Sequence, residues 1–285
     1  MQSLQIQSLT KKYDGFLLDN VSFSVPQGAV VGLIGENGAG KSTVMKAVQG
    51  AVRADKGSIL FQGKPIEQLS KEEKQKIGFV QDVTCLPLEM GISMLNKVFS
   101  HIFVRWNSDR FFDLCRKFSL PEKKAVKDFS KGMRMKAAIA VALSYDNDLL
   151  LLDEPTSGLD PVVRDEILEI LYDYMQDGKK AVLISSHISS DLEKLCDYIV
   201  YIHEGRVLFD EEKDALLEKF VTFSCEKAAL KELDPARVER VLLREYGADV
   251  LVRKDCLPQG FGGNRAGLDE IMLFYAKGER LCSDF

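Results

Sequence analysis

The segment Gly35-Glu36-Asn37-Gly38-Ala39-Gly40-Lys41-Ser42-Thr43 constrains this chain more than any other, because it stands directly after the apolar run Val30 to Ile34 and directly before a helix-compatible stretch. Glycines at 35, 38 and 40 let the backbone wrap so tightly that successive N–H groups point inward, and the following helix turns its positive end toward the same spot. This is the phosphate-loop pattern in the strand-and-helix context that its mechanism demands. Lys41 is expected to reach the β- and γ-phosphates of a nucleotide, and Ser42 to ligate a magnesium ion. A chance glycine turn followed by Lys-Ser would not be framed by both elements.

A second acidic feature lies downstream, where Leu149-Leu-Leu-Leu-Asp153-Glu154-Pro155 reads as a buried strand ending in two adjacent carboxylates. Taken alone, two acids at the start of a solvated loop would be just as good a reading. Beside a phosphate loop they suit nucleotide chemistry: Asp153 can hold magnesium through water, and Glu154 can orient and deprotonate an attacking water as a general base.

Short apolar runs alternate with amphipathic stretches up to about residue 210, the pattern of a mostly parallel sheet covered by helices. Strands are expected over Leu4–Leu9, Val21–Val25, Val30–Ile34, Gly57–Phe61, Ile77–Val80, Leu149–Asp153, Ala181–Ser185, Tyr198–His203 and Arg206–Phe209. The runs at Leu149 and Ala181 are apolar almost throughout, as central parallel strands buried on both faces must be. Ser70-Lys-Glu-Glu73 offers a capping box, and Val162 to Gln176 has Asp160 before it, Pro161 in its first turn and Gly178 after it, so both read as helices. Residues 84–145 hold no strand-like run and read as a helical insert. The sequence therefore divides into a domain over 1–219 and a small α+β domain over 220–285, with strand-like segments at Val221–Cys225 and Asp249–Val252, a glycine-rich loop from Gln259 to Gly263 and a closing helix at Leu268–Ala276.

Composition sets limits on function. With 46% hydrophobic residues in 285 positions the chain can bury a sizeable core. Its 38 basic and 43 acidic residues leave a net charge of −5, which argues against a nucleic-acid partner. The six cysteines, Cys85, Cys115, Cys196, Cys225, Cys256 and Cys282, show no C-x-x-C spacing and read as free thiols of a reducing cytoplasm. Neither a signal peptide nor an apolar run near the roughly 18 residues of a membrane span is evident, so a partner is expected to supply any span.

These motifs together resemble the nucleotide-binding cassette of ATP-binding-cassette (ABC) proteins over roughly residues 1–215. The resemblance implies a P-loop ABC fold, with a mostly parallel sheet core, an antiparallel β subdomain and a helical insert, and it implies ATP with Mg2+ as ligands. It further implies that Tyr13 stacks on adenine, that Gln81 senses magnesium and the attacking water, and that His187 contacts the γ-phosphate. Ser157-Gly158-Leu159-Asp160 is similar to the loop that crosses the dimer interface. Phe129-Ser130-Lys131-Gly132-Met133 resembles the family's LSGGQ signature but departs at its first, third and fifth positions; Ser130 and Gly132 are retained and are expected to act on ATP held by the opposite subunit, with the Lys131 charge near that phosphate.

The signature, the run Pro161 to Glu169 and the segment Asp269 to Tyr275 look like the two-component exporters of the bacitracin and lantibiotic resistance type. That placement implies a head-to-tail homodimer around two ATP molecules, peripheral on the inner face of a bacterial membrane and coupled to a separately encoded permease. Leu88, Met90, Ile92 and Met94 are expected to offer that permease an apolar groove. An importer cassette, or a non-transport or regulatory ABC ATPase, stays open as an alternative.

Overall fold

The computed structural model describes residues 2–81, 86–258 and 260–281. Cys85, Cys282, Gln259 and the expected start of the insert at Thr84 lie outside them. The chain divides into two compact units, Met1–Val207 and Leu208–Phe285. This division falls ahead of the expected 219/220 boundary, since it runs through the last strand of the larger sheet.

The first unit opens with an antiparallel layer. Strand β1 (Gln2–Tyr13) is flanked by β2 (Phe16–Pro26) and β4 (Lys56–Phe61), with the two-residue β5 (Lys64–Pro65) beyond β4. Leu4, Ile6 and Leu9 of β1 and Leu18, Val21, Phe23 and Val25 of β2 are buried together, alternating with exposed neighbours as a half-covered sheet requires. Register shifts between Ile6 and Leu9 carry β1 past a left-handed Ser8 (φ 52°), which is how it runs beyond the six residues expected.

The second sheet has the order β10-β9-β3-β8-β7-β6. Its members are β3 (Val30–Ile34), β6 (Ile77–Val80), β7 (Leu149–Asp153), β8 (Ala181–Ser186), β9 (Tyr198–His203) and β10 (Arg206–Glu212). Every residue of β3, β7 and β8 is buried. The register is parallel from β9 to β6: Val31 opposes Tyr198, Val30 opposes Val182, Leu149 opposes Ala181, and Ile77 opposes Leu149. The carboxyl ends of β3, β8, β7 and β6 therefore lie along one edge, where open α/β sheets present their ligand sites.

Helices fill the connections. The first, α1 (Lys41–Val48), follows β3, and the short α2 (Lys71–Lys74) is closed by the capping box, Ser70 Oγ accepting from Glu73 N while Glu73 Oε2 accepts from Ser70 N. Between β6 and β7 come α3 (Ile92–Ile102), α4 (Ser108–Lys117) and α5 (Lys131–Ala142), with no named strand among the described residues of this insert. Trp106 sits inside it, donating from Nε1 to Asn96 Oδ1 at 2.8 Å among the rings of Phe99, Phe103 and Phe111. Ile92 is fully buried, whereas Leu88 and Met94 are exposed, so Ile92 belongs to the insert's own core and not to an open groove. Helix α6 (Pro161–Met175) is capped by Asp160, whose Oδ1 accepts from Val163 N at 3.1 Å, and α7 (Ser189–Leu195) follows β8.

In the second unit α8 (Lys213–Lys219) leads into an antiparallel sheet of order β12-β13-β11-β14, built from β11 (Phe220–Cys225), β12 (Val238–Leu243), β13 (Ala248–Arg253) and β14 (Asn264–Arg265). Val221, Phe223, Val241, Val250 and Val252 form its core with Leu230 and Leu233. The closing helix α9 (Leu268–Lys277) buries Leu268, Ile271 and Phe274. No helix among the described residues is long and apolar enough to cross a membrane.

Candidate nucleotide site

The loop after β3 turns through Gly38 (φ 86°) and Gly40 (φ 114°) into α1. A Cβ at Gly40 would come within 2.8 Å of Leu18 Cδ1, so a side chain there would have to displace Leu18 as well as adopt a left-handed backbone that glycine takes up freely. Glu36, Asn37 and Gly38 are exposed on the crest, Gly35, Ala39 and Gly40 are buried at its base, and Ser42 and Thr43 face outward in the first turn of α1. Lys41 is 5% exposed. Its Nζ donates to Gly35 O at 2.7 Å and Glu36 O at 3.2 Å, arched back over its own loop.

The acidic pair at the end of β7 meets this loop. Asp153 is buried, and its Oδ1 accepts from Ser185 Oγ at 2.5 Å and from Ser42 Oγ at 3.3 Å. Glu154 has the left-handed φ of 52°, uncommon for a residue with a side chain, and this turns its carboxylate out of the strand toward the loop. Its Oε1 lies 3.5 Å from Lys41 Nζ, and its Oε2 lies 2.6 Å from His187 Nδ1. His187, the first residue after β8, is exposed. Gln81, the first residue after β6, is half-buried at the same edge. Three segments far apart in sequence thus meet because β3, β7 and β8 end together; among the described residues no hydrogen bond joins Gln81 to Lys41, Glu154 or His187.

Tyr13 ends β1 and is 39% exposed, its ring centroid 6.5 Å from that of Phe16 at an interplanar angle of 30°, and Lys11 Nζ is 5.7 Å from the Tyr13 centroid. Ser130 caps α5, its Oγ accepting from Met133 N at 3.2 Å, and Gly132 packs where a Cβ would meet Val163 Cγ1 at 3.0 Å. Among the described residues no hydrogen bond or ion pair joins Ser130 or Gly132 to residues 35–43. Lys131, expected near a phosphate, donates to Ser157 O at 2.7 Å within its own chain. That contact is open because Gly158 (φ 66°) has no side chain: a Cβ there would lie 2.8 Å from Lys131 Nζ.

Ser185 was not singled out in the sequence. Its hydroxyl donates to Asp153, and the same oxygen accepts from Glu154 N at 3.1 Å, so it fixes both acids at once. The available signal was a hydroxyl residue closing the otherwise apolar run Ala181 to Ile184.

The fold family implies a magnesium ion. Among the described residues the hydrogen-bond partners of Asp153 are two hydroxyls and not a cation, so a buried carboxylate beside the Ser42 oxygen has the hard-oxygen character that magnesium requires.

Backbone amides, a buried ammonium and a carboxylate–imidazole pair at the carboxyl edge of a parallel sheet define a phosphate-loop nucleotide-binding protein. An ABC transporter family profile matches residues 18–157. Over 215 residues the chain is 38% identical to the lantibiotic transport ATP-binding protein SrtF of Streptococcus pyogenes, covering 74% of this chain and 91% of that protein. It is 33% identical over 239 residues to the Nod factor export ATP-binding protein I of Burkholderia orbicola, covering 82% of this chain and 78% of the relative. Among solved structures it is similar to an ATP-binding subunit of an ABC transporter, with a TM-score of 0.68, 28% identity and coverage of 75% and 91% of the two chains. A further likeness is to cbiO1 of Clostridium perfringens, part of the ABC transporter complex cbiONQ, with a TM-score of 0.65 and 27% identity over 76% of this chain and 91% of that one. The chain belongs to the ABC transporter family, as an ATP-binding subunit and an ABC ATPase.

Proposed function

We propose that this chain is the motor of a membrane exporter that moves a drug, a peptide or another toxic compound. It works as a head-to-tail homodimer with a separately encoded permease, on the inner face of the bacterial cell membrane. The observation that carries the reading is the Lys41–Glu154–His187 arrangement, with the carboxylate 3.5 Å from the ammonium and 2.6 Å from the imidazole.

In the proposed mechanism the Gly35–Thr43 loop binds the phosphates of ATP through its amides. Lys41 leaves its own carbonyls for the β- and γ-phosphates, and Tyr13 stacks on the adenine. Ser42, Gln81 and Asp153 would hold magnesium, Asp153 through water, and the ion would offset the negative charge of the phosphates. Glu154 accepts the proton of the attacking water, and His187 orients that carboxylate and contacts the γ-phosphate. Ser130 and Gly132 reach the nucleotide from the opposite subunit, where the capped N-terminus of α5 faces the γ-phosphate. Asp160 holds the interface loop by capping α6. Export as the direction is supported by the lantibiotic transport and Nod factor export proteins that the chain resembles.

Glu154→Gln tests the reading. The amide keeps the reach of the side chain but accepts no proton, so turnover should fall about 10²–10⁴-fold while ATP binding persists and an ATP-dependent dimer accumulates on size exclusion. Hydrolysis at the wild-type rate would remove Glu154 as the base.

A further inference from the structure

Beneath the exposed His187–Glu154 contact, a second link joins the same two chain segments, and it is buried. Asp191, in the first turn of α7 and four residues after His187, is 2% exposed. Its Oδ2 accepts from Thr156 Oγ1 at 2.6 Å and its Oδ1 from Arg164 Nη2 at 2.5 Å. Thr156 is fully buried and stands two residues after Glu154, and Arg164 lies in the first turns of α6, its backbone N–H bonded to Asp160 O at 3.0 Å.

We propose that Asp191 is a positioning residue for ATP hydrolysis: through Thr156 and Arg164 it holds the turn after Glu154 and the start of α6 in fixed relation to His187. The inference rests on the reading of Glu154 as the general base.

Three observations carry it. The left-handed turn at Glu154 persists only where its surroundings hold it on both sides. On the upstream side Glu154 N donates to Ser185 O and Ser185 Oγ, each at 3.1 Å; on the downstream side Thr156 is held by Asp191. His187 lies between these two anchors in sequence, so the Glu154 turn is pinned to the strand before the histidine and to the helix after it. Stability alone does not require such an arrangement, because a buried carboxylate–guanidinium pair is commonly no more stable than apolar packing of the same volume. Geometry does require it, because displacing a reacting group by about 1 Å costs on the order of 100-fold in rate.

The test uses the purified full-length chain with ATP and magnesium. Thr156→Val keeps the side-chain shape and removes the hydroxyl, and Thr156→Ser returns it. Thr156→Val should lower kcat about 10- to 100-fold with KM for ATP within twofold of wild type, and Thr156→Ser should restore kcat. A kcat for Thr156→Val within twofold of wild type overturns the proposal, as does a rise in KM that matches the fall in kcat, because the hydroxyl would then serve the fold of the loop and not the placement of the base. Should Thr156→Val fail to fold, Asp191→Asn carries the same readout: its amide still accepts from Thr156 but no longer neutralises Arg164, and the same limits on kcat and KM apply. Glu154→Gln is run beside them. If it is silent and Thr156→Val is not slowed, the base stands and the positioning role falls; if Glu154→Gln turns over at the wild-type rate, both fall.

Discussion

Lys41→Met separates the cost of holding a buried charge from its use. Methionine keeps most of the stem and removes the ammonium. Without nucleotide that ammonium gains two carbonyl hydrogen bonds, at 2.7 and 3.2 Å, and lies 3.5 Å from Glu154 in a position only 5% exposed. Hydrogen bonds to a charged group contribute about 1.5–3 kcal/mol each, while desolvating an ammonium costs several kcal/mol, so the two largely cancel in the free chain. Its stability should change by no more than about 2 kcal/mol. With ATP bound the same group meets the β- and γ-phosphates, and two charge-assisted bonds lost amount to about 3–6 kcal/mol, or roughly 10²–10⁴ in Kd at about 1.4 kcal/mol per tenfold. Titration calorimetry of ATP into the full-length chain, beside thermal unfolding without nucleotide, reads the two quantities separately. Wild-type affinity would show that the ammonium does not meet the phosphates, and unfolding of the free variant would show it to be a strut of the loop instead.

Tyr13→Ala should weaken ATP binding by about 1–3 kcal/mol, the scale of base stacking on an aromatic ring, and Tyr13→Phe should largely restore it; equal Kd values for all three proteins by calorimetry would take Tyr13 out of the site. At the capping box, Lys64 donates to both oxygens of Glu73, and with the Ser70 backbone N–H it draws that carboxyl down to about 2 from 4.5. Because the folded value is the lower one, the stabilising contribution is fully present above about pH 4.5 and is lost as pH falls toward 2. The wild-type advantage in Tm over Glu73→Gln should therefore shrink across that window, and a gap independent of pH would contradict the assignment.

Much of the larger unit was legible because its core strands carry their burial in their composition. Leu149 to Leu152 and Ala181 to Ile184 can satisfy such runs only when covered on both faces, and both proved wholly buried. The phosphate loop was legible for a different reason: its glycines are needed where the backbone turns left-handed, and that need is local. Contacts between segments were not legible. The bond from Lys131 to Ser157 O, which draws the expected phosphate-facing charge into its own chain, depends on α5 beginning beside the loop after β7, which no local pattern encodes. Asp191 carries no motif that singles it out in the sequence, and its bond to Thr156 exists only because α7 packs beside the turn after β7. The extension of β1 to Tyr13 was missed because Thr10, Lys11 and Lys12 are polar; the partners β2 and β4 fix them by backbone pairing and not by burial.

The strand order of the larger sheet also governs when the site can come into existence. Val30 opposes Val182, more than half the chain away, and β6 joins β7 only across the whole helical insert. Closing such loops costs entropy before any pairing returns it, so a chain of this connectivity folds late and cooperatively, after the local helices of the insert have had time to form. Until β8 inserts between β3 and β7, Lys41, Glu154 and His187 are strangers in a flexible chain, and no partly paired intermediate can offer ATP its full set of contacts. Nucleotide therefore binds the finished molecule most tightly. At a concentration a hundredfold above Kd it adds about 2.7 kcal/mol to the folded state, which makes ATP a reporter of completed folding and a brake on the first step of its loss.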